Sequence, residues 1–130
     1  MIKPAAALPS TKSIGQTGEK LAEKFLVKKG FTILAKNFWL KNFGEIDLIC
    51  RRNRTTHFVE VKTITFKPGE NQSAFRAEDH FNSKKKFKLE KLISFYLNKN
   101  KIEEKSQLDL IAITINQSKH SAKIKHYQNV

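Results

Sequence analysis

Sulfur chemistry is almost missing from this chain. Its 130 residues hold one cysteine, Cys50, which excludes an intrachain disulfide. The four histidines, His57, His80, His120 and His126, have no mutual spacing, so there is no cysteine/histidine cluster of zinc type. They are read as surface or partly buried residues, with His80 bordering a basic helix. No segment is long and apolar enough to cross a bilayer as a helix. Ala5-Ala6-Ala7-Leu8 is too short for a signal-peptide core, so residues 1–13 are read as a disordered leader and the protein as cytoplasmic. Repeats and long linkers are missing too, which leaves one domain over residues 14–130. Acidic residues are also scarce, with 12 Asp and Glu against 25 Lys and Arg and a net charge of +13. A pI near 10.0 implies a polyanionic partner, most simply nucleic acid. An anionic membrane surface or an acidic protein would attract the same charge. A hydrophobic content of 39% with ten Phe argues against disorder of the whole.

Some of these few acids stand where charge is expensive. Gly44-Glu45-Ile46-Asp47-Leu48-Ile49 and Phe58-Val59-Glu60-Val61-Lys62 are strand-like apolar runs with acids inside them. A carboxylate taken out of water costs about several kcal/mol unless it is paired or bound to metal. Glu60 and Lys62 share a strand face because side chains alternate. The short polar link Arg51-Arg52-Asn53-Arg54-Thr55-Thr56 reads as a hairpin connection. A turn centred on Asn53-Arg54 puts Asp47 opposite Glu60, on the face of Lys62. Facing carboxylates repel, and a divalent cation between them reverses that sign; Mg²⁺, held by carboxylates, phosphate and water, is the natural candidate. A structural ion-pair network is the alternative reading.

The rest of the chain supplies a frame. Ser13-Ile14-Gly15-Gln16 matches a capping box with Ser13 as N-cap. The helix it opens runs to about Lys29, with Leu21, Ala22, Phe25 and Leu26 on one stripe and Gly30 as its stop. A first strand follows from Phe31 to about Leu40, then the hairpin. Residues 66–79 are a polar loop containing Pro68 and Gly69. Asn82 or Ser83 caps a second helix running to about Asn98. Leu108 to Ile113 is a fourth strand, and Lys119 to Tyr127 a weaker fifth. Helix, three strands, helix and two strands predict an α/β sandwich with a mixed central sheet.

Glu19 lies on the inward stripe of the first helix, either satisfied by the helix dipole or a further acid of the same site. Lys84, Lys85, Lys86 and Lys88 crowd the start of the second helix, where positive charge is unfavourable unless an anion is bound. Lys85 begins the buried stripe of Leu89, Leu92 and Tyr96. With Arg51, Arg52 and Arg54, these lysines are the expected grip on a nucleic-acid backbone. Asp109, alone in an apolar strand, is read as structural.

Taken in order, Gly15-x-x-Gly18-Glu19-x-x-Ala22-x-x-Phe25-Leu26, Gly30-Phe31-x-Ile33-Leu34, Gly44 to Ile49, Phe58 to Lys62, Lys85-x-x-Lys88-Leu89 and Leu108 to Ile113 resemble the YraN-like uncharacterised protein family. The match spans roughly residues 14 to 114. The resemblance implies a restriction-endonuclease-like α/β/α sandwich with a PD-(D/E)xK site, similar to archaeal Holliday-junction resolvases. It implies Asp47 and Glu60 as ligands of Mg²⁺ or Mn²⁺, Lys62 as the catalytic lysine and Glu19 as an accessory acid. It implies a homodimer only by analogy, since a junction presents two symmetric strands. Three departures stand out. Ile46 replaces the proline of the wider motif, the loop from Phe66 to Phe81 is expanded, and Asn37 to Phe43 is a residue longer than usual, without the common arginine after the aromatic. The expected function is a metal-dependent DNA endonuclease on branched or damaged DNA. The alternatives are a non-catalytic nucleic-acid-binding module, which would not need Asp47 and Glu60 for metal binding, and a basic adaptor, whose DNA binding would depend weakly on salt.

Overall fold

A computed structural model describes residues 11–66, 80–116 and 118–130, with side chains from Thr17 to Thr65 and over the two later segments. Residues 1–10 of the expected leader and most of the expected loop 66–81 lie outside the described residues, while residues 11–13, expected in the leader, belong to the first helix. The elements run α1 (Thr11–Lys28), β1 (Thr32–Leu40), β2 (Gly44–Arg52), β3 (Thr55–Phe66), α2 (Ser83–Lys99), β4 (Lys105–Asn116) and β5 (Ser121–Tyr127). The five strands form one sheet in sequence order, β1-β2-β3-β4-β5. Neighbours are antiparallel except β3 and β4, which run parallel because α2 carries the chain back to the same end.

Two apolar clusters lie on opposite sides of the sheet. Leu21, Ala22 and Leu26 of α1 pack on Leu48, Cys50, Val59, Ile111, Ile113 and Ile115. Leu89, Leu92 and Tyr96 of α2 pack on Ile46, Ile49, Phe58 and Leu108. The expected α/β sandwich with a mixed sheet is therefore the fold observed. Residues 108–113 of β4 are buried without a break, as expected of a strand covered on both faces. Burying a fully enclosed side chain such as Leu92 or Ile111 contributes roughly 1.5–3 kcal/mol.

The hairpin turn is as expected. Asn53 and Arg54 both have positive φ, 52° and 60°, the requirement of a type I′ turn whose twist matches the strands it joins. That turn fixes the register of β2 on β3, from Arg52 opposite Thr55 to Leu48 opposite Val59. At the start of α2, the Asn82 side chain accepts the Lys85 backbone N–H at 2.8 Å, so Asn82 is the cap. One expectation fails: α1 begins at Thr11, so Ser13 lies inside its first turn rather than capping it. Gly18 lets α1 approach the sheet, since a Cβ there would collide with Thr63 Oγ1.

Candidate functional site

The site begins where β2 and β3 part. Their ladder ends at Leu48 opposite Val59, so Asp47 does not continue it by pairing with Glu60. The Asp47 side chain replaces the missing rung instead, with Oδ2 accepting the Val61 backbone N–H at 2.7 Å. The reason lies in a kink shared with β1. Lys36 pairs with Leu48 and Phe38 with Ile46, leaving Asn37 across from Asp47. Asn37 takes a left-handed φ of 52°, a conformation asparagine tolerates better than most residues. Ile46 packs towards α2, whereas Leu48, two residues on, packs towards α1. Strict alternation would put both on one side, so β2 turns over at Asp47.

Four carboxylates meet at this turnover. Glu60 projects from β3 on the α2 side and is almost fully buried. One of its oxygens, Oε2, is 3.8 Å from Lys85 Nζ. The other, Oε1, is buried and accepts no hydrogen bond among the described residues. Burial first, then the Asp47 charge, push the Glu60 carboxyl up to about 8 against the pull of Lys85. Burial also raises Asp47, opposed by the Val61 N–H, by a hydrogen bond with Glu19 and by Lys85. Glu19 reaches Asp47 from α1 and is pushed up to about 7, by burial and then by Asp47 and Glu45. Glu45 is raised as well, by burial and then by Asp47. The structure thus brings Asp47, Glu60 and Glu19 together, though not by the expected cross-strand pairing, and adds Glu45. Nothing in sequence spacing singled out Glu45, since an acid beside a glycine turn reads as solvated.

The cations divide differently from expectation. Lys62 shares the Glu60 face but is exposed, and its charge falls on His80, where it adds to the effects of burial and Lys85. Among the described residues Lys85 is the lysine that meets the acids. Its Nζ also lies 2.9 Å from His80 Nε2 and 5.5 Å from the Phe81 ring centre. The ammonium can only donate, so His80 accepts through Nε2. Burial, then Lys85 and Lys62, lower its titration to about 4. Lys84, Lys86 and Lys88 are exposed along the first turns of α2. Arg51, Arg52 and Arg54 are not brought to the acids, because they sit at the other end of the β2–β3 hairpin. Arg51 makes a two-point bond to Glu104 at 2.8 and 2.9 Å. Arg52 donates to the Lys29 carbonyl at 3.0 Å and lies 4.2 Å over the Phe31 ring. Arg54 occupies the turn.

A second polar cluster lies inside the α1 side of the sheet, and it corrects the reading of His57, which is buried, while His126 is partly buried as read. His57 is buried, and its Nδ1 donates to Asp109 Oδ2 at 2.6 Å. His126 Nε2 donates to the same oxygen at 2.8 Å. Asp109 Oδ1 accepts from Gln107 Nε2 at 2.8 Å and the Asn129 N–H at 2.9 Å. These three side chains could also hold a metal ion, but each carboxylate oxygen already has two donors at hydrogen-bond distance. Asp109 is thus fully satisfied by four donors of the chain itself. The histidines were missed because residues 57, 109 and 126 meet only through the β3-β4-β5 order. The available signal was Asp109 itself, a lone acid that a buried strand must satisfy.

Fold and site together define a small α/β protein with a cluster of carboxylates at a forked pair of strands, in a strongly basic chain. The comparisons say which family it is. The profile described as Uncharacterised protein family UPF0102 matches residues 18–113, and the chain belongs to that family. It is 39% identical to a UPF0102 protein of Campylobacter fetus over 116 residues, 89% of this chain and 91% of that one. A UPF0102 protein of Aliarcobacter butzleri is 35% identical over 103 residues, 79% and 87% of the two chains. One from Campylobacter jejuni is 42% identical over 99 residues, 76% and 81%. No helix among the described residues is long and apolar enough to cross a membrane.

Proposed function

We propose that this protein is a metal-dependent DNA endonuclease of PD-(D/E)xK type on a restriction-endonuclease-like fold, working in the cytoplasm on branched or damaged DNA. The observation that carries the reading is Glu60 Oε1, a buried carboxylate oxygen with no donor among the described residues, held beside Asp47. Acids raised by burial and by the Asp47 charge in this way fit a divalent cation, which supplies the missing positive charge. Hard oxygen donors suit Mg²⁺ or Mn²⁺. Asp47 and Glu60 would hold it, with Glu19 and Glu45 beside them. When bound, the cation supplies Lewis acidity to a phosphodiester and acidity to a water.

The chain's own groups do the rest. The Val61 N–H fixes the Asp47 carboxylate in one orientation. Glu19, titrating at about 7, takes or gives a proton beside Asp47 near neutral pH. Lys85 and Lys62 flank Glu60 with positive charge where a phosphate would sit, and Lys84, Lys86 and Lys88 extend that charge along α2. A homodimer would present two such sites to a symmetric junction.

The test is cleavage of labelled linear, single-stranded, flap and four-way-junction DNA with Mg²⁺ or Mn²⁺. Wild type is run beside Asp47→Ala, Lys62→Ala and Lys85→Ala. Asp47→Ala should lose more than about 100-fold in rate while still binding DNA, since even outer partners of a metal site cost about 10–100-fold. Lys85→Ala should lose at least as much as Lys62→Ala, because Lys85 is nearer the acids. Unchanged cutting by Asp47→Ala refutes the proposal. A folded wild type that binds DNA and cuts none of these substrates favours the binding module.

A further inference from the structure

Trp39 is the only tryptophan of the chain and is 64% exposed. The kink at Asn37 and Asp47 explains why. By turning the strand over, it sends Phe38 inward under α2, where its ring meets Tyr96 edge-on at 5.1 Å and lies 6.4 Å from Phe95. The next residue along a strand points the other way, so Trp39 is turned out on the α1 side. There its cross-strand partner is Glu45, whose charge reaches Asp47, Glu19 and Glu60. Residues paired directly across an antiparallel ladder have neighbouring side chains on one face. A large indole therefore stands at the rim of the acid cluster.

Among the described residues the other exposed aromatic rings are engaged. Phe87 has the Lys91 Nζ at 5.2 Å from its ring centre, and Phe95 faces Phe38. Trp39 has no ring or cation against it among the described residues. Stacking on a base uses a π-face and needs no sequence match, and basic proteins that hold single strands combine such rings with surrounding positive charge. The net charge of +13 supplies the second component.

We propose that Trp39 is a stacking platform for one unpaired nucleobase, which sets the backbone of a single-stranded or frayed segment against the acid cluster. The inference rests on the nucleic-acid reading above and narrows its substrate class: nucleic acid with unpaired bases next to the site, rather than intact duplex.

Because Trp39 is the sole tryptophan, its emission reports directly on its surroundings. The full chain is titrated in EDTA with an oligothymidylate of about ten nucleotides, within the usual single-strand site size. The oligouridylate, a blunt duplex and inorganic polyphosphate of equal charge are titrated alongside. Stacking predicts saturable quenching by the single strands and little by duplex or polyphosphate. The thymidylate and uridylate arms show whether DNA or RNA provides the base. Trp39→Ala should weaken single-strand binding about tenfold, the ordinary effect of losing one base stack. Trp39→Phe should keep most of the affinity, and duplex binding should change less than about twofold in both. The exposed position makes Trp39→Ala tolerable to the fold, and circular dichroism checks this. Equal quenching by polyphosphate overturns the proposal. So does single-strand affinity unchanged in Trp39→Ala, which leaves the nuclease reading standing if Asp47→Ala still abolishes cutting. Failure to bind any nucleic acid overturns both.

Discussion

Replacing Glu60 by glutamine isolates the electrostatic cost of the site. The Glu60 carboxyl titrates at about 8 in the folded chain against an ordinary 4.5, so folding favours its protonated form. For a group raised in this way, the stabilisation is full below 4.5 and is lost as pH rises through about 8. At pH 9 the ionised side chain would cost the fold up to about 5 kcal/mol. Hydration of the charge by local rearrangement brings this to about 2–3 kcal/mol. Glutamine keeps the size and hydrogen-bonding plane but has no charge to bury. Glu60→Gln should therefore match wild type near pH 5 and exceed it above pH 8. At roughly 3–5 °C per kcal/mol for a chain of this size, the gain in Tm is about 10 °C.

The assay is thermal unfolding from pH 5 to pH 9 in EDTA, repeated with millimolar Mg²⁺. The other raised acids, Glu19, Glu45 and Asp47, are present in both proteins, so the difference curve reports Glu60 and its coupling to them. Mg²⁺ at pH 8 should raise the wild-type Tm and move Glu60→Gln much less, because a ligand stabilises only the state that binds it. Parallel stability curves for the two proteins across this range would refute both the burial and the charge crowding inferred for Glu60.

Two further substitutions probe the frame that holds the site. Gly18→Ala should destabilise by about 1–3 kcal/mol, since the new methyl collides with Thr63 Oγ1 and outweighs the gain in helix propensity of up to about 1 kcal/mol. Urea unfolding checks this, and adding Thr63→Ala should restore most of the loss; strictly additive effects would show that the contact is not the cause. Asp109→Asn should cost about 2–4 kcal/mol, because the amide presents a donor to groups that already donate. Burial raises Asp109, but His126, His57, Asn129 and Gln107 outweigh it and hold the carboxyl below its ordinary 3.8. The stability it adds is present above 3.8 and falls away as pH drops below that value. Wild type should therefore lose stability on that acid limb while Asp109→Asn stays flatter, and equal slopes in acid titrations followed by circular dichroism would contradict the network.

Local rules carried the sequence reading where geometry is local. The Asn53-Arg54 turn sets its own handedness, so the register of β2 on β3 follows from two residues and a period of two. The stripes of α1 and α2 follow from a period of 3.6 in the same way. What escaped depends on groups far apart in the chain. Nothing in Asn37 announces a left-handed residue inside a strand, and the turnover at Asp47 exists only because β1 and β2 kink together. Lys62 stood out because it follows Glu60 by two. Yet an exposed lysine on β3 lies farther from the acids than Lys85, which reaches them from another element. Arg51 looked free until the fold supplied Glu104.

These long-range contacts bear on how the site is kept. Four carboxylates crowded at one fork weaken the fold, and among the described residues the Val61 N–H and Lys85 offset only part of the repulsion. The compensation sits elsewhere. Asp109 ties β3, β4, β5 and Asn129 together through four donors, and Arg51 with Thr56 fixes Glu104 beyond the end of α2. Both networks lie towards the hairpin end of the sheet, where β2 and β3 are fully paired. The unpaired end can then carry charge, a kink and an exposed indole without unravelling. Stability concentrated at one end and strain at the other is the pattern expected when a small fold gives up local stability to hold a functional site.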